Sequence, residues 1–205
     1  NLRFDDTNPE NEELEYVNAI KEDIDLETKE YTFAPEAPKE WKENPTEWLT
    51  SIDILEVMKQ YEKTYKCFEF IGPSPIDYDK HIAYGECVWE ELCEFSLAKT
   101  ISEGTTKIGI IFNLDPHNKP GSHWVAMFIN ILRKEIYYLD SYGEKIPSRI
   151  KKFAKKVQKQ SLKLKDKTEY KLLENKRRHQ FSESECGMYS LYFIIQMLKG
   201  VTFKK

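Results

Sequence analysis

Three apolar segments that follow one another closely between residues 107 and 142 limit most strongly how this chain can fold. Segments 107–114 (KIGIIFNL), 123–131 (HWVAMFINI) and 135–142 (EIYYLDSY) are rich in Ile, Val, Phe and Tyr, which strands favour. Residues 132–134 leave room only for a short turn, so the last two strands should be antiparallel neighbours. The sequence therefore predicts a sheet built around these three strands.

Further helices and strands flank these segments. Helical spacing of Trp48, Ile52, Leu55 and Met58 predicts a helix over 47–61, with Thr46 as its N-cap. The remaining predicted elements are a strand at 64–72 ended by Gly-Pro-Ser-Pro, a helix at 84–99, a lysine-rich helix after Pro147, a strand at 169–175 and an apolar helix after Cys186. This pattern indicates an α+β domain with a small, mostly antiparallel central sheet flanked by helices.

The first 46 residues differ from the rest in composition. Residues 1–30 hold eleven acidic and three basic side chains, and four prolines up to position 45 interrupt any long element. We expect 1–46 to form an acidic arm with one short helix at 12–20, and 47–205 to form the main folded domain. Because the chain starts without Met and without the apolar stretch of a signal peptide, we expect a fragment of an intracellular protein and not a secretory precursor.

Positive charge is concentrated in residues 145–178, which hold fourteen basic and three acidic side chains. Such a face attracts nucleic acid or an acidic partner, although a solvated lysine-rich surface has the same composition. Since no run of eighteen apolar residues occurs, no membrane span is expected.

Three of the four cysteines are expected to be structural. Cys67, Cys87 and Cys93 fit the role of small buried hydrophobes in a reducing compartment. Cys87 and Cys93 lie near His81, but C-x5-C is not a usual zinc spacing. We therefore expect neither a metal nor a cofactor.

The fourth cysteine, Cys186, opens the apolar helix and is the candidate nucleophile. Unpaired N–H groups and the helix dipole stabilise a thiolate at a helix N-terminus. Such a nucleophile still needs a base. His123, at the start of one predicted strand, and Asp140, at the end of its antiparallel neighbour, should meet at one edge of the sheet. Gln180 is placed to donate to an oxyanion, with the Cys186 backbone N–H as a second donor.

These residues resemble those of a known family. His-Trp, seventeen residues from His123 to Asp140, and Q-x5-C-G opening an apolar helix resemble the SUMO-deconjugating and adenovirus-type cysteine proteases. The stretches RRHQFSESECGMYSLYFI and GSHWVAMFIN look most similar to polyprotein proteases of large DNA viruses, of the African swine fever virus type. The resemblance implies a papain-related fold, a triad of Cys186, His123 and Asp140, and Gln180 as oxyanion donor.

The resemblance also implies a specificity. In that family, tryptophans matching Trp48 and Trp124 cover a narrow tunnel that admits Gly-Gly. The predicted function is therefore a cysteine endopeptidase that cuts after Gly-Gly or Ala-Gly and matures viral structural polyproteins, in the virion or the host cytoplasm. Deconjugation of SUMO or ubiquitin-like proteins, in cytoplasm or nucleus, is the alternative.

Two readings from other classes stay open at this point. A related group of bacterial effectors uses the same three residue types for acetyl transfer and binds inositol hexakisphosphate through lysines. A nucleic-acid-binding pseudoenzyme could use Lys151, Lys152, Lys155 and Lys156. The two tryptophans and the Q-x5-C-G helix favour the protease.

Overall fold

A five-stranded sheet organises residues 48–203, the part of the chain that the computed structural model describes. Its strands, in spatial as well as chain order, are β1 (Phe68–Pro75), β2 (Lys107–Asn113), β3 (Trp124–Asn130), β4 (Glu135–Leu139) and β5 (Lys171–Glu174). The pairs β2–β3 and β3–β4 are antiparallel, whereas β1–β2 and β4–β5 are parallel. The α+β class is confirmed, but the sheet is mixed, because the connections to both edge strands contain helices that allow a crossover.

Helices cover both faces of this sheet. They are α1 (Ser51–Thr64), α2 (Glu90–Cys93), α3 (Leu97–Ser102), α4 (Ser148–Ser161) and α5 (Cys186–Leu198). One apolar cluster joins α1 and α5 to one face, and a second joins α4 and the region of α2 and α3 to the other. Every residue of β3 is buried, which explains why this strand reads as a continuous apolar run and not as an alternating one.

The first helix begins later than its apolar spacing predicted. The Thr50 side chain accepts from the Asp53 backbone N–H and Asp53 accepts from Thr50, so this capping box fixes the start of α1 at Ser51. Trp48 therefore precedes the helix, and Ile52 is 66% exposed and not in the core. The predicted N-cap Thr46 lies outside the described residues, as do the acidic arm and its predicted helix.

The single helix predicted at 84–99 is wrong. The chain forms a short 3₁₀ turn at Ala83–Gly85, then α2 and α3. Tyr84 has φ 63° and Gly85 has φ 81°, which no α-helix accommodates, and the Ser96 hydroxyl caps α3 as a new start. Local backbone geometry thus divides the segment that was predicted to be one helix.

The Gly-Pro-Ser-Pro motif does not end the first strand, which continues to Pro75. Because β1 is an edge strand, a proline there costs no hydrogen bond on the outer side, and the register shifts between Ile71 and Ser74 to accommodate the motif. Strands β3 and β4 are shorter than the predicted segments 123–131 and 135–142. His123 lies just before β3, and Asp140 lies just after β4.

The cysteine prediction is right for one residue and wrong for two. Cys67 is buried and is not part of a disulfide, whereas Cys87 and Cys93 are half-buried and joined to each other. Their Cα atoms lie 6.3 Å apart, because the chain turns into α2 between them. Within the described residues, no helix is long and apolar enough to cross a membrane.

The ring of Phe153 on α4 provides a test of the core. It is fully buried and makes edge-to-face contacts with Phe95 and Tyr78, at centroid distances of 5.3 and 6.0 Å. We expect Phe153→Ala to lower the free energy of unfolding by ~3–5 kcal/mol in denaturant titrations, because a large cavity replaces the ring. Lys155→Ala on the exposed face of the same helix should stay within ~0.5 kcal/mol of wild type. Equal losses in the two variants would contradict this assignment of the core.

Candidate active site

The pairing of β3 with β4 brings His123 and Asp140 together. Ala126 pairs with Leu139, so the residues just outside the two strand ends meet at one edge of the sheet. His123 Nε2 lies 2.9 Å from Asp140 Oδ1, and the two side chains are 13% and 3% exposed. The sequence predicted this meeting from the antiparallel turn alone.

Asp140 is itself held in place by groups that the sequence reading missed. The Tyr142 backbone N–H donates to the same Oδ1 at 2.9 Å. The Asn175 side-chain amide donates to the backbone carbonyls of Asp140, at 2.9 Å, and of Arg177, at 2.8 Å. Asn175 is 3% exposed, and a polar residue at the end of an apolar strand was the signal that could have identified it.

Cys186 begins α5 and is 1% exposed, and its thiol lies close enough to His123 to affect the pKa of the imidazole. Burial by itself lowers the pKa of His123, but the hydrogen bonds and charges of Asp140 and Cys186 outweigh it and raise that pKa to about 9. Since Nε2 is taken by Asp140, Nδ1 is left for the sulfur. The arrangement favours an imidazolium beside the thiol at neutral pH, which is the condition for an activated thiolate.

Gln180 is fully buried next to this group, and its amide has a fixed orientation. Its Oε1 accepts from the Ser141 hydroxyl at 2.5 Å. Its Nε2 donates to the Ser182 carbonyl at 2.6 Å and, at 3.4 Å, to the Tyr142 hydroxyl. One of the two amide hydrogens is therefore firmly engaged, and the other makes only a long contact.

Tyr142 also stacks on the imidazole of His123, a contact that no sequence motif indicated. The ring centroids are 4.9 Å apart and the planes differ by 28°. The guanidinium carbon of Arg178 lies 5.2 Å from the ring centroids of both Tyr142 and Phe181. The imidazole is thus held by a ring face as well as by Asp140.

The two predicted substrate-binding tryptophans lie in different environments. Trp124 opens β3 and is 8% exposed, whereas Trp48 is 46% exposed. The Trp124 indole N–H donates to the carbonyl of Leu49 at 3.0 Å. This bond ties the segment that contains Trp48 to the start of the strand that follows His123.

Leu49 also explains the glycine after Cys186. A Cβ at Gly187 would lie 2.9 Å from the Leu49 Cβ and 3.0 Å from its Cγ. Only glycine lets Leu49 approach the first turn of α5 this closely. Leu49, Trp124 and Cys186 consequently share one buried cluster.

The basic region is partly neutralised by its own neighbours. Lys152 lies 2.6 Å from a carboxylate oxygen of Asp79, and Lys151 lies 3.8 Å from one of Glu174. Lys156 donates to the backbone carbonyl of Cys93 at 2.5 Å. Three of the four lysines considered for nucleic acid thus have partners within the domain, and the nucleic-acid prediction gains no support.

Known proteins share both the sequence and the fold. Residues 56–205 match the Ulp1 protease family, C-terminal catalytic domain. A protein named as a thiol protease, R355 of Acanthamoeba polyphaga mimivirus, is 39% identical over 193 residues, covering 92% of this chain and 58% of its own length. Cysteine protease S273R of African swine fever virus (isolate Tick/Malawi/Lil 20-1/1983) is 29% identical over 168 residues, covering 78% of this chain and 61% of its own.

Solved structures agree with this assignment. The crystal structure of the African swine fever virus pS273R protease superposes with a TM-score of 0.65 at 26% identity, covering 91% of this chain and 70% of that one. The C-terminal Ulp1 protease domain in complex with Smt3, the yeast ortholog of SUMO, gives 0.56 at 17% identity, covering 94% and 86%, which is a likeness of fold. The chain spans 58% and 61% of the lengths of the two viral relatives, and it belongs to the Ulp1 family of cysteine proteases.

Proposed function

We propose that this chain is a thiol endopeptidase in which Cys186 is the nucleophile, His123 the general base and acid, and Asp140 the group that orients His123. The observation that carries the proposal is the 2.9 Å contact between His123 and Asp140 beside a buried thiol at the first residue of α5. Membership in a family of cysteine proteases supports it.

In the proposed mechanism each of the three residues has its own role. The Cys186 thiolate attacks the scissile carbonyl carbon, and the imidazolium of His123 gives its proton to the leaving amine. His123 then takes a proton from water, whose oxygen attacks the thioester carbon; the C–S bond breaks, and the acid leaves while the Cys186 thiolate and the imidazolium are restored. Asp140 keeps Nε2 protonated and stabilises the charged ring throughout.

Gln180 is proposed as an oxyanion donor together with the backbone N–H of Cys186. Ser141 holds the amide oxygen, which aims the NH₂ group away from it. The hydrogen that makes only the 3.4 Å contact to Tyr142 is the one free to turn toward a developing negative charge. The first N–H groups of α5 lack intrahelical acceptors and can supply the second bond.

We propose that the substrates carry Gly-Gly or Ala-Gly before the cut, and that they are structural polyproteins of a large DNA virus. Two viral proteins named as proteases are relatives of this chain. The indole of Trp124 is hydrogen-bonded to the backbone carbonyl of Leu49, and Trp48 immediately precedes Leu49 in the chain. Two indoles can therefore flank the approach to Cys186. A slot between indole faces leaves no space for a Cβ on the residue next to the scissile bond.

Deconjugation of a ubiquitin-like protein is the second candidate function. Related viral proteins are named SUMO-1 cysteine protease, and two proteins of similar fold were solved in complex with Smt3 and with ubiquitin. Both functions use the same triad and the same narrow slot. They differ in whether the enzyme also recognises the folded body of the substrate.

The catalytic assignment is tested by incubating the protein with Gly-Gly-X peptides and reading the products by mass spectrometry. We expect Cys186→Ala to abolish cleavage, because the covalent route is lost, and His123→Ala to lower kcat by ~10²–10⁴-fold. Cys67→Ala, which removes a buried thiol outside the site, should keep its activity. Unchanged cleavage by Cys186→Ala would end the proposal, and acetyl transfer without cleavage would replace it.

The two substrate classes separate in the same assay. A polyprotein protease should cleave short Gly-Gly-X peptides about as well as the same site in a folded precursor. A deconjugase should cleave ubiquitin-like precursors far better than the peptides, because much of its binding energy comes from the folded domain.

The raised pKa of His123 predicts the alkaline side of the pH profile. The imidazolium is kept up to about pH 9 and lost above it, so kcat/KM should fall as pH rises through that value. In Asp140→Ala the negative partner is gone, and this fall should move ~1–3 pH units toward acid. Asp79→Ala removes a carboxylate that pairs with Lys152, away from the triad, and should leave the profile in place. If the alkaline fall of kcat/KM in Asp140→Ala stayed at the same pH as in the unmutated protein, Asp140 would not be the partner that stabilises the charged form of His123.

Trp48 tests the slot. In the unmutated protein, replacing the glycine before the scissile bond by alanine should lower kcat/KM by ~10–200-fold, the range for one methyl group in a closed site. Trp48→Ala should reduce this discrimination and raise KM, with little change in melting temperature because the side chain is 46% exposed. Trp89→Ala, at a half-buried tryptophan in another part of the fold, is the matched control. A lower melting temperature with unaltered preference would make Trp48 a packing residue instead.

A further inference from the structure

Three side chains of types that can bind a metal form a cluster in the chain connection from β1 to β2. His81, Cys87 and Cys93 place one nitrogen and two sulfur atoms within 4.8 Å of one another. His81 is exposed and the two cysteines are half-buried, so the cluster can be reached from solvent. The proposed protease mechanism uses none of these three residues.

A backbone hairpin fixes two of the three positions. The Trp89 N–H donates to the Tyr78 carbonyl at 3.0 Å, and the Val88 N–H donates to the Lys80 carbonyl at 2.9 Å. Between these bonds and the turn, His81 and Cys87 form a bridge pair, with His81 Nε2 3.8 Å from Cys87 Sγ. Bonds of ~2.0 Å from zinc to nitrogen and ~2.3 Å to sulfur at a tetrahedral angle separate the two ligand atoms by about 3.5 Å. The hairpin thus already holds this pair near the required separation.

The third position is fixed by a different part of the fold. Cys93 is the last residue of α2, and its neighbour Leu92 is fully buried in the core. The Lys156 ammonium on α4 donates to the Cys93 carbonyl at 2.5 Å. Two separately anchored elements therefore converge on the same point, a preorganisation that metal sites need.

We propose that His81, Cys87 and Cys93 bind Zn²⁺ when both thiols are reduced. One imidazole and two thiolates form the nitrogen and sulfur donor set that zinc prefers, and water would occupy the fourth position. Binding displaces the two thiol protons to solvent. The structure joins the two sulfur atoms to each other, and since each arrangement uses both sulfurs, disulfide and metal are alternatives.

The proposed zinc fastens the 78–89 hairpin to α2 in the connection that leads from β1 to β2. A ligand that binds the folded chain and not the unfolded one raises the melting temperature. The inference does not depend on the protease proposal, because the cluster contains no residue of the triad.

The test uses the Cys186→Ala chain, so that the active-site thiol cannot bind metal. The protein is reduced with a phosphine, whose electron pair cleaves the S–S bond to two thiols, then incubated with Zn²⁺ and desalted. We expect one zinc per chain, a higher melting temperature with zinc than without, and, with Co²⁺ instead, the sulfur-to-cobalt absorption of a tetrahedral thiolate site.

Single substitutions assign the ligands. His81→Ala, Cys87→Ser and Cys93→Ser should each weaken zinc binding by more than the ~10–100-fold that loss of an outer-shell partner costs. His179→Ala, at an exposed histidine outside the cluster, should bind as the parent does. Less than one retained zinc per reduced parent chain would overturn the proposal. Equal zinc affinity in His81→Ala and His179→Ala would also overturn the proposal, because the two thiols would then bind the metal without the His81 imidazole.

Discussion

The antiparallel pairing of β3 with β4 is the constraint on which the rest of the site depends. Ala126 stands opposite Leu139, so His123 and Asp140 leave the two strand ends at one edge, within hydrogen-bonding distance. A slip of one residue would turn every side chain of β3 to the opposite face, and apolar cores on both faces oppose such a slip. The packing of α5 against the same sheet brings Cys186 to that edge.

A single residue, Leu49, links the approach to the site with its proposed nucleophile, Cys186. Its carbonyl accepts a hydrogen bond from the Trp124 indole, and its side chain lies only 2.9 Å from the position that a Cβ on Gly187 would take. The segment before α1 is therefore fixed at once to the strand after His123 and to the first turn of α5. Both tryptophans proposed to shape the slot depend on this contact, so the proposed slot and the proposed nucleophile belong to one packed unit.

The groups of the proposed triad remain polar inside a largely apolar cluster because they have hydrogen-bond partners. Asp140 receives the imidazole and a backbone N–H, Asn175 supports the Asp140 carbonyl, and Ser141 holds the buried amide of Gln180. Buried hydrogen bonds of this kind are stronger than those in water, and an unpaired member would be costly. The raised pKa of His123 follows from the same environment, since the cost of burying its charge is outweighed by its interactions with Asp140 and Cys186.

The sequence by itself determined the central strands, the helix that starts at Cys186 and the meeting of His123 with Asp140. These follow from short-range rules, because apolar composition, a short turn and a helix start are all written in neighbouring residues. Only the tertiary structure decided the parallel edge strands, the start of α1 after Trp48, the broken helix between 84 and 99 and the approach of Cys87 to Cys93. The support from Leu49, Asn175 and Tyr142 belongs with these, because each contact joins residues distant in the chain through steric fit and hydrogen bonding that no local pattern encodes.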